Sequence, residues 1–80
     1  MTHLTFYSKP NCHLCEDGQW ILEEVLKERP MSVTYIDISQ DEVLMAQYGT
    51  RIPVLGCSEL ETDLGWPFTP DDILAWLNTA

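Results

Sequence analysis

Two cysteines separated by two residues carry the clearest chemistry in this sequence. Cys12 and Cys15 flank His13 and Leu14 at the start of a helical pattern of apolar residues. Unpaired backbone N–H groups and the helix dipole favour an anion at a helix N-terminus, which lowers the pKa of a thiol there. The spacing therefore predicts that Cys12 is a nucleophile and that Cys15, one turn further along, resolves a mixed disulfide.

The same cysteines would also fit half of a zinc site. A structural zinc ion commonly takes four ligands from two such close pairs. The other soft ligands are Cys57, His3 and His13, and they include no second close pair of cysteines. We therefore predict no metal site, and metal or iron–sulfur binding through Cys12 and Cys15 is the least favoured functional hypothesis.

The sequence leaves two interpretations of His13 open. A protonated His13 would stabilise the Cys12 thiolate and make the disulfide more oxidising, whereas a neutral, exposed His13 is an ordinary surface residue. Glu16 and Asp17 oppose thiolate formation because nearby negative charge raises a thiol pKa, and Lys9 acts in the opposite direction. We predict that Lys9 and His13 lie on the substrate side of the site.

Pro53 and Trp66 are predicted to lie beside the cysteines. A proline after Ile52, at the entry to an apolar run, removes a backbone donor and marks a special backbone site. A cis bond there would bend the chain sharply and expose the Ile52 backbone to an extended substrate, whereas the alternative is a trans proline on an edge strand. Gly65 indicates a turn near the same edge, so Ile52, Pro53 and Trp66 are candidate substrate contacts.

The elements that must position these residues alternate between strand and helix. Apolar periodicity and capping signals predict strands at 3–8, 32–38, 51–57 and 59–64, and helices at 12–29, 41–48 and from Thr69 onward. A long helix between the first two strands is a crossover, so these strands should be parallel, and the last two should form a hairpin. The sequence thus predicts a single α/β domain over 1–80, in the order β-α-β-α-β-β-α, with a four-stranded mixed sheet and three flanking helices.

Several individual residues receive structural predictions. Ser39 has the spacing of a helix N-cap, with a glutamate three residues on. Tyr35 and Tyr48 are predicted to be core residues, and Cys57 is predicted to pack as a small hydrophobe. Asp37 is predicted to be a surface acid at a strand end, and the alternative is a proton acceptor for the resolving cysteine.

Composition excludes several classes of function. Thirteen acidic and four scattered basic residues give a net charge of -9, which excludes nucleic acid as a partner because phosphate binding needs facing cations. No apolar run approaches the roughly 20 residues that span a bilayer, so we expect no membrane association. The start of the chain lacks a signal-peptide pattern, and three cysteines are too few for a disulfide scaffold. We therefore expect a cytoplasmic monomer with reduced thiols.

Two segments, YSKPNCHLC at 7–15 and GTRIPVL at 49–55, resemble the glutaredoxin-like branch of the thioredoxin superfamily. The order of elements resembles that branch over nearly the whole chain and implies a thioredoxin fold. The chain departs from the usual glutaredoxin pattern at His13 and Leu14, where Pro-Tyr is typical, and at Trp66, which follows a single glycine. It is most similar to small glutaredoxin-like proteins.

The resemblance also implies roles for particular residues. It implies that Cys12 is the nucleophile, that Cys15 is the resolving cysteine and that Pro53 is a cis proline. It further implies that Lys9 holds a glutathione carboxylate and that the Ile52 backbone pairs with the tripeptide.

The favoured function is thiol–disulfide exchange with a disulfide-containing protein or small molecule. Cys12 and Cys15 would carry this exchange without a bound cofactor, and glutathione is a candidate reductant. The alternative is a redox-switched protein-binding module, in which the acidic surface and Trp66 dock a partner. In that case the two cysteines act as a switch rather than as a catalyst.

Overall fold

The computed structural model of the protein describes residues 2–79, and a mixed sheet flanked by helices forms its framework. The strands are β1 (His3–Ser8), β2 (Ser32–Asp37), β3 (Val54–Cys57) and β4 (Leu64–Gly65). The helices are α1 (His13–Glu28), α2 (Glu42–Tyr48) and α3 (Pro70–Leu77), and a short 3-10 helix, Ile38–Gln40, precedes α2. The predicted order of strands and helices is confirmed.

The four strands lie in the spatial order β2-β1-β3-β4. β1 and β2 are parallel, with Leu4 opposite Val33, because α1 crosses over between them. β3 is antiparallel to both of its neighbours, and Leu55 lies opposite Leu64 in the hairpin with β4. The predicted parallel pair and the predicted hairpin are both confirmed.

Apolar side chains form a separate cluster on each face of the sheet, because successive residues of a strand point to opposite faces. The larger cluster lies under α1 and α3 and contains Leu4, Phe6, Leu22, Val25, Leu55, Phe68, Ile73, Trp76 and Leu77. The smaller cluster lies on the α2 side and contains Cys15, Ile38, Tyr48, Ile52 and Val54. Cys15, in the first turn of α1, therefore belongs to the smaller cluster, and Leu22 and Val25 further along the helix belong to the larger one.

Three predicted boundaries are wrong. The third strand begins at Val54 rather than at residue 51, because the N–H groups of Arg51 and Ile52 both donate to the Tyr48 carbonyl. The fourth strand covers only Leu64–Gly65, because residues 58–63 form turns rather than a strand. The second strand ends at residue 37, where the 3-10 helix begins.

Two predictions about single residues are also wrong. Ser39 does not cap α2, because it lies within the 3-10 helix and donates its hydroxyl to Asp37 at 2.6 Å. Asp41 is the N-cap instead, and its Oδ1 accepts from the N–H groups of Val43 and Leu44. Tyr35 is not a core residue, because β2 is an edge strand and leaves that side chain 49% exposed.

Candidate redox-active site

The two cysteines meet at the N-terminus of α1. Cys12 is the N-cap residue in an extended conformation, and its Sγ accepts a hydrogen bond of 3.2 Å from the Cys15 N–H. The two Sγ atoms form a disulfide, and the Cα atoms lie 5.2 Å apart, within the usual range for a disulfide. Cys12 is half-buried whereas Cys15 is only 5% exposed, so an incoming group reaches Cys12 first.

The turn between β1 and α1 brings the chain from the sheet to Cys12. Asn11 adopts a left-handed conformation with φ 59°, which asparagine tolerates better than most residues with a side chain. Lys9, Pro10 and Asn11 are all exposed on this turn. Lys9 thus precedes the nucleophile on the solvent side, and its contact with a substrate carboxylate stays a prediction.

Pro53 lies under the N-terminal part of α1. The Ile52–Pro53 peptide bond is cis, as the resemblance implied, and the proline ring is fully buried. A Cβ atom placed on Gly18 would lie 2.8 Å from Pro53 Cγ and 3.4 Å from Phe68 Cζ. Only glycine therefore lets α1 approach the proline this closely, a role that the apolar pattern of the helix alone does not predict.

Ile52 is buried in the smaller cluster, together with Cys15. Its backbone N–H donates to the Tyr48 carbonyl at 3.1 Å. Pairing of an extended substrate with this N–H would therefore require that bond to break. The role of the Ile52 backbone in substrate binding stays a prediction.

Trp66 lies on the other side of Pro53. Its backbone N–H donates to the Pro53 carbonyl at 3.1 Å, and its indole packs edge-on against Phe68 with ring centroids 5.1 Å apart. The Trp66–Pro67 peptide bond is also cis. The Trp66 backbone is thus held beside the proline, while its half-buried indole packs against the larger cluster, and contact of the indole with a substrate stays a prediction.

His13 lies almost fully exposed to solvent in the first turn of α1. Its side chain is 98% exposed, and Nδ1 lies 3.6 Å from an oxygen of Glu16, one turn along α1. The influence of this solvated side chain on the Cys12 thiolate stays a prediction.

An aromatic and ionic group adjoins Ile52, and no local sequence pattern predicts it. The rings of Tyr7 and Tyr48 are stacked with centroids 4.5 Å apart, and the Arg51 guanidinium carbon lies 5.7 Å from the Tyr48 ring centroid. Burial raises the pKa of the Tyr48 hydroxyl, and the charge of Asp63 raises it further. Arg51 also pairs with Asp63, from a turn distant in sequence.

The other candidate reactive side chains, those of Cys57, Asp37 and His3, pack or form hydrogen bonds within the fold. Cys57 is a half-buried free cysteine packed against the larger cluster, as predicted. Asp37 is exposed at the end of β2, as predicted, and its Oδ1 accepts from the Ser39 N–H at 2.9 Å. His3 lies 2.7 Å from Thr34 Oγ1. Within residues 2–79, no three His, Cys, Asp or Glu side chains come together as a metal-binding group.

The fold and the paired cysteines define a protein of the thioredoxin superfamily. The model of the family described as "Glutaredoxin-like domain (DUF836)" matches residues 3–78, and the chain belongs to this family. None of the helices in the described part of the chain is long and apolar enough to cross a membrane.

Solved structures similar to this chain share its fold. Protein XcR50 from X. campestris is 35% identical with a TM-score of 0.78, and the match covers 96% of this chain and 97% of that one. Protein Ne2328 from Nitrosomonas europaea is 29% identical with a TM-score of 0.79, over 94% of this chain and 89% of that one. Desulfothioredoxin from Desulfovibrio vulgaris Hildenborough, 17% identical with a TM-score of 0.77 over 99% of this chain and 81% of that one, shares the fold. A search of curated proteins found no match.

Proposed function

We propose that this protein is a thiol–disulfide oxidoreductase. The observation that carries the proposal is the unequal placement of the two cysteines. Cys12 Sγ lies at the start of α1 and accepts a backbone hydrogen bond, a position that stabilises a thiolate, while Cys15 is buried at bonding distance behind it. An outer nucleophile and an inner resolving thiol are what a two-cysteine exchange reaction requires.

The reaction proceeds in two displacements. The Cys12 thiolate attacks one sulfur of a substrate disulfide, a mixed disulfide forms, and the other substrate sulfur leaves as a thiolate. Cys15 then loses its proton and attacks Cys12 Sγ, which releases the second substrate thiolate and closes the Cys12–Cys15 disulfide. Two electrons have passed to the substrate, and both of its sulfurs end as thiols.

An external dithiol or two thiols must then return two electrons to the protein. Glutathione is the candidate reductant, in keeping with the glutaredoxin-like family, and no bound cofactor is needed. The substrate class is a disulfide-containing protein or small molecule. In this proposal, five residues surround the approach to Cys12: Lys9, His13, Ile52, Pro53 and Trp66.

A redox titration in glutathione buffers tests the chemistry directly. Samples are quenched by alkylation and weighed as intact protein, so that free thiols and any glutathione adduct are counted. We expect two thiols to disappear together and reversibly, while Cys57 remains free to react. A protein in which the pair forms only in strong oxidant would contradict the proposal.

Three serine variants assign the roles in a turnover assay with a disulfide substrate. Cys12→Ser is expected to abolish turnover, and Cys15→Ser is expected to accumulate the mixed disulfide at Cys12. Cys57→Ser is the matched control and should keep full activity, because that side chain packs against the larger cluster. Reversible pairing without turnover of any disulfide would favour the redox-switched binding module instead.

A further inference from the structure

An ion pair joins the segment before Pro53 to the turn before β4. Arg51 Nη2 lies 2.6 Å from Asp63 Oδ1, and Nη1 lies 3.5 Å from Oδ2, so the guanidinium faces both carboxylate oxygens. The hydrogen bond to Asp63 raises the pKa of Arg51 further above its already high usual value, so the cation persists at every pH at which the protein would act.

Two other groups hold the Arg51 side chain in place. The guanidinium lies near the Tyr48 ring, within the range of a cation–π contact. A Cβ atom on Gly65 would lie 3.6 Å from Arg51 Nη2, so the side chain runs close along the backbone of β4. Arginine suits this setting because its flat guanidinium can stack on a ring and bind a carboxylate at the same time.

The backbone around Arg51 leads directly to the candidate site. The N–H groups of Arg51 and Ile52 both donate to the Tyr48 carbonyl, at 2.8 and 3.1 Å. On the opposite side, the Pro53 carbonyl accepts from the Trp66 N–H, three residues after Asp63. The ion pair therefore provides a side-chain link between the same two segments that hold Pro53 from either side.

We propose that Arg51 is a positioning residue for the exchange reaction, and that with Asp63 it holds Ile52 and Pro53 where a disulfide substrate must lie against Cys12. This inference rests on the proposed function. Arg51 acts through the backbone of these two residues and takes no part in electron or proton transfer. Reaction rates depend steeply on such placement, because small displacements of the reacting groups lower the fraction of productive encounters.

Because the ion pair is partly exposed, its effect on the position of Ile52 and Pro53 can be measured apart from any effect on folding stability. The Arg51 and Asp63 side chains are 46% and 26% exposed, and ion pairs this close to solvent contribute little to folding. Loss of the pair should therefore leave the fold intact and change mainly the local placement of the two residues beside Cys12.

The test compares two reactions of the reduced protein. Alkylation by iodoacetamide reports the thiolate of Cys12 and needs no docked substrate, whereas reduction of an extended peptide disulfide needs the residues beside Pro53. For Arg51→Ala, we expect the second-order rate constant with the peptide to fall by about tenfold, which a displacement of less than about 1 Å can produce. The alkylation rate and the urea midpoint should stay at the wild-type values.

Companion variants sharpen the result. Asp63→Asn should also slow reduction of the peptide. Combining it with Arg51→Ala should slow the reaction no further, because both changes remove the same ion pair. Arg51→Lys should restore part of the rate, since it keeps the charge but loses the flat, two-pronged donor. Lys27→Ala removes an exposed ion pair with Glu24 on α1 and is the control expected to react like the wild type.

The possible outcomes distinguish failure of the positioning role from failure of the proposed function. A peptide rate for Arg51→Ala equal to that of the wild type overturns the positioning role while leaving the proposed function standing. A parallel fall in alkylation also overturns it, because Arg51 would then act on the Cys12 thiolate itself. Wild-type protein that reduces neither a peptide disulfide nor a small-molecule disulfide, and so is as inert as Cys12→Ser, overturns both the function and this inference.

Discussion

The two faces of the sheet differ in what their apolar clusters do. The larger cluster, under α1 and α3, contains nine buried residues and none of the cysteines of the candidate site. The smaller cluster, on the α2 side, contains five, and among them are Cys15 and Ile52. One face therefore supplies most of the apolar burial, and the other joins a part of the core to the Cys12–Cys15 disulfide.

This difference predicts how substitutions on the two faces should behave. A cavity in the larger cluster removes folding free energy from both redox states equally, so the midpoint of the Cys12–Cys15 couple should not move. A change at the smaller cluster or at Pro53 alters the surroundings of the site itself. Stability and reactivity should thus be separable on the first face and coupled on the second.

The largest effect on stability is expected from Leu22→Ala in the larger cluster. Leu22 is fully buried on α1, and truncation of a buried leucine costs about 2–5 kcal/mol through lost transfer free energy and the cavity that remains. Urea unfolding at neutral pH measures the loss, and the redox titration measures the midpoint.

The matched control is Val43→Ala, at a side chain 72% exposed on α2, which should change stability by less than about 0.5 kcal/mol. A shift of the redox midpoint in Leu22→Ala, while the folded fraction remains high, would show that stability and reactivity are not independent in the larger cluster.

A smaller effect, this time coupled to reactivity, is expected from Gly18→Ala. The new methyl group would lie 2.8 Å from Pro53 Cγ and 3.2 Å from Pro53 Cβ, and this overpacking must move either α1 or the proline. The clash costs about 1–3 kcal/mol, and the better helix propensity of alanine returns about 1 kcal/mol, which leaves a net loss of about 1 kcal/mol.

The activity of Gly18→Ala distinguishes it from a simple stability variant. Displacement of Pro53 should lower the rate of peptide disulfide reduction in protein that is still folded. Gln19→Ala, at the neighbouring exposed position, gains helix propensity without the clash and should keep the wild-type rate. If Gly18→Ala reacts at the wild-type rate, close contact of α1 with the proline does not matter for exchange.

The parts of this molecule that depend on local pattern were predictable from the sequence. The thiol pair before a helix, the alternation of strands and helices, and the start of the last helix at Thr69 all follow from residues within a few positions of one another. The cis bond at Pro53 was implied by the resemblance to a family, and the structure has it.

The parts that depend on distant contacts were not predictable. The roles of Gly18 and Arg51 become visible only when Pro53 and Asp63 are brought against them across the fold. The exposure of Tyr35 depends on which strand lies at the edge of the sheet, and no local pattern gives that order. A helical glycine is nevertheless a signal of close approach that sequence reasoning could have used at position 18.

The smallest effect is expected at alkaline pH, from the tyrosine of the smaller cluster. Burial, the neighbouring Tyr7 and the charge of Asp63 raise the pKa of Tyr48, and Arg51 opposes them. The unfolded chain therefore ionises at this position first, near the usual tyrosine pKa of about 10, while the folded protein still holds the proton. The contribution to stability is fully present below about pH 10 and is lost as pH rises from there through the raised pKa of the folded state.

Urea unfolding from pH 8 to 11 should show a steeper decline for the wild type than for Tyr48→Phe, with a constant difference between them below pH 9. Parallel curves across the whole range would show that the smaller cluster does not hold the Tyr48 hydroxyl in its neutral form.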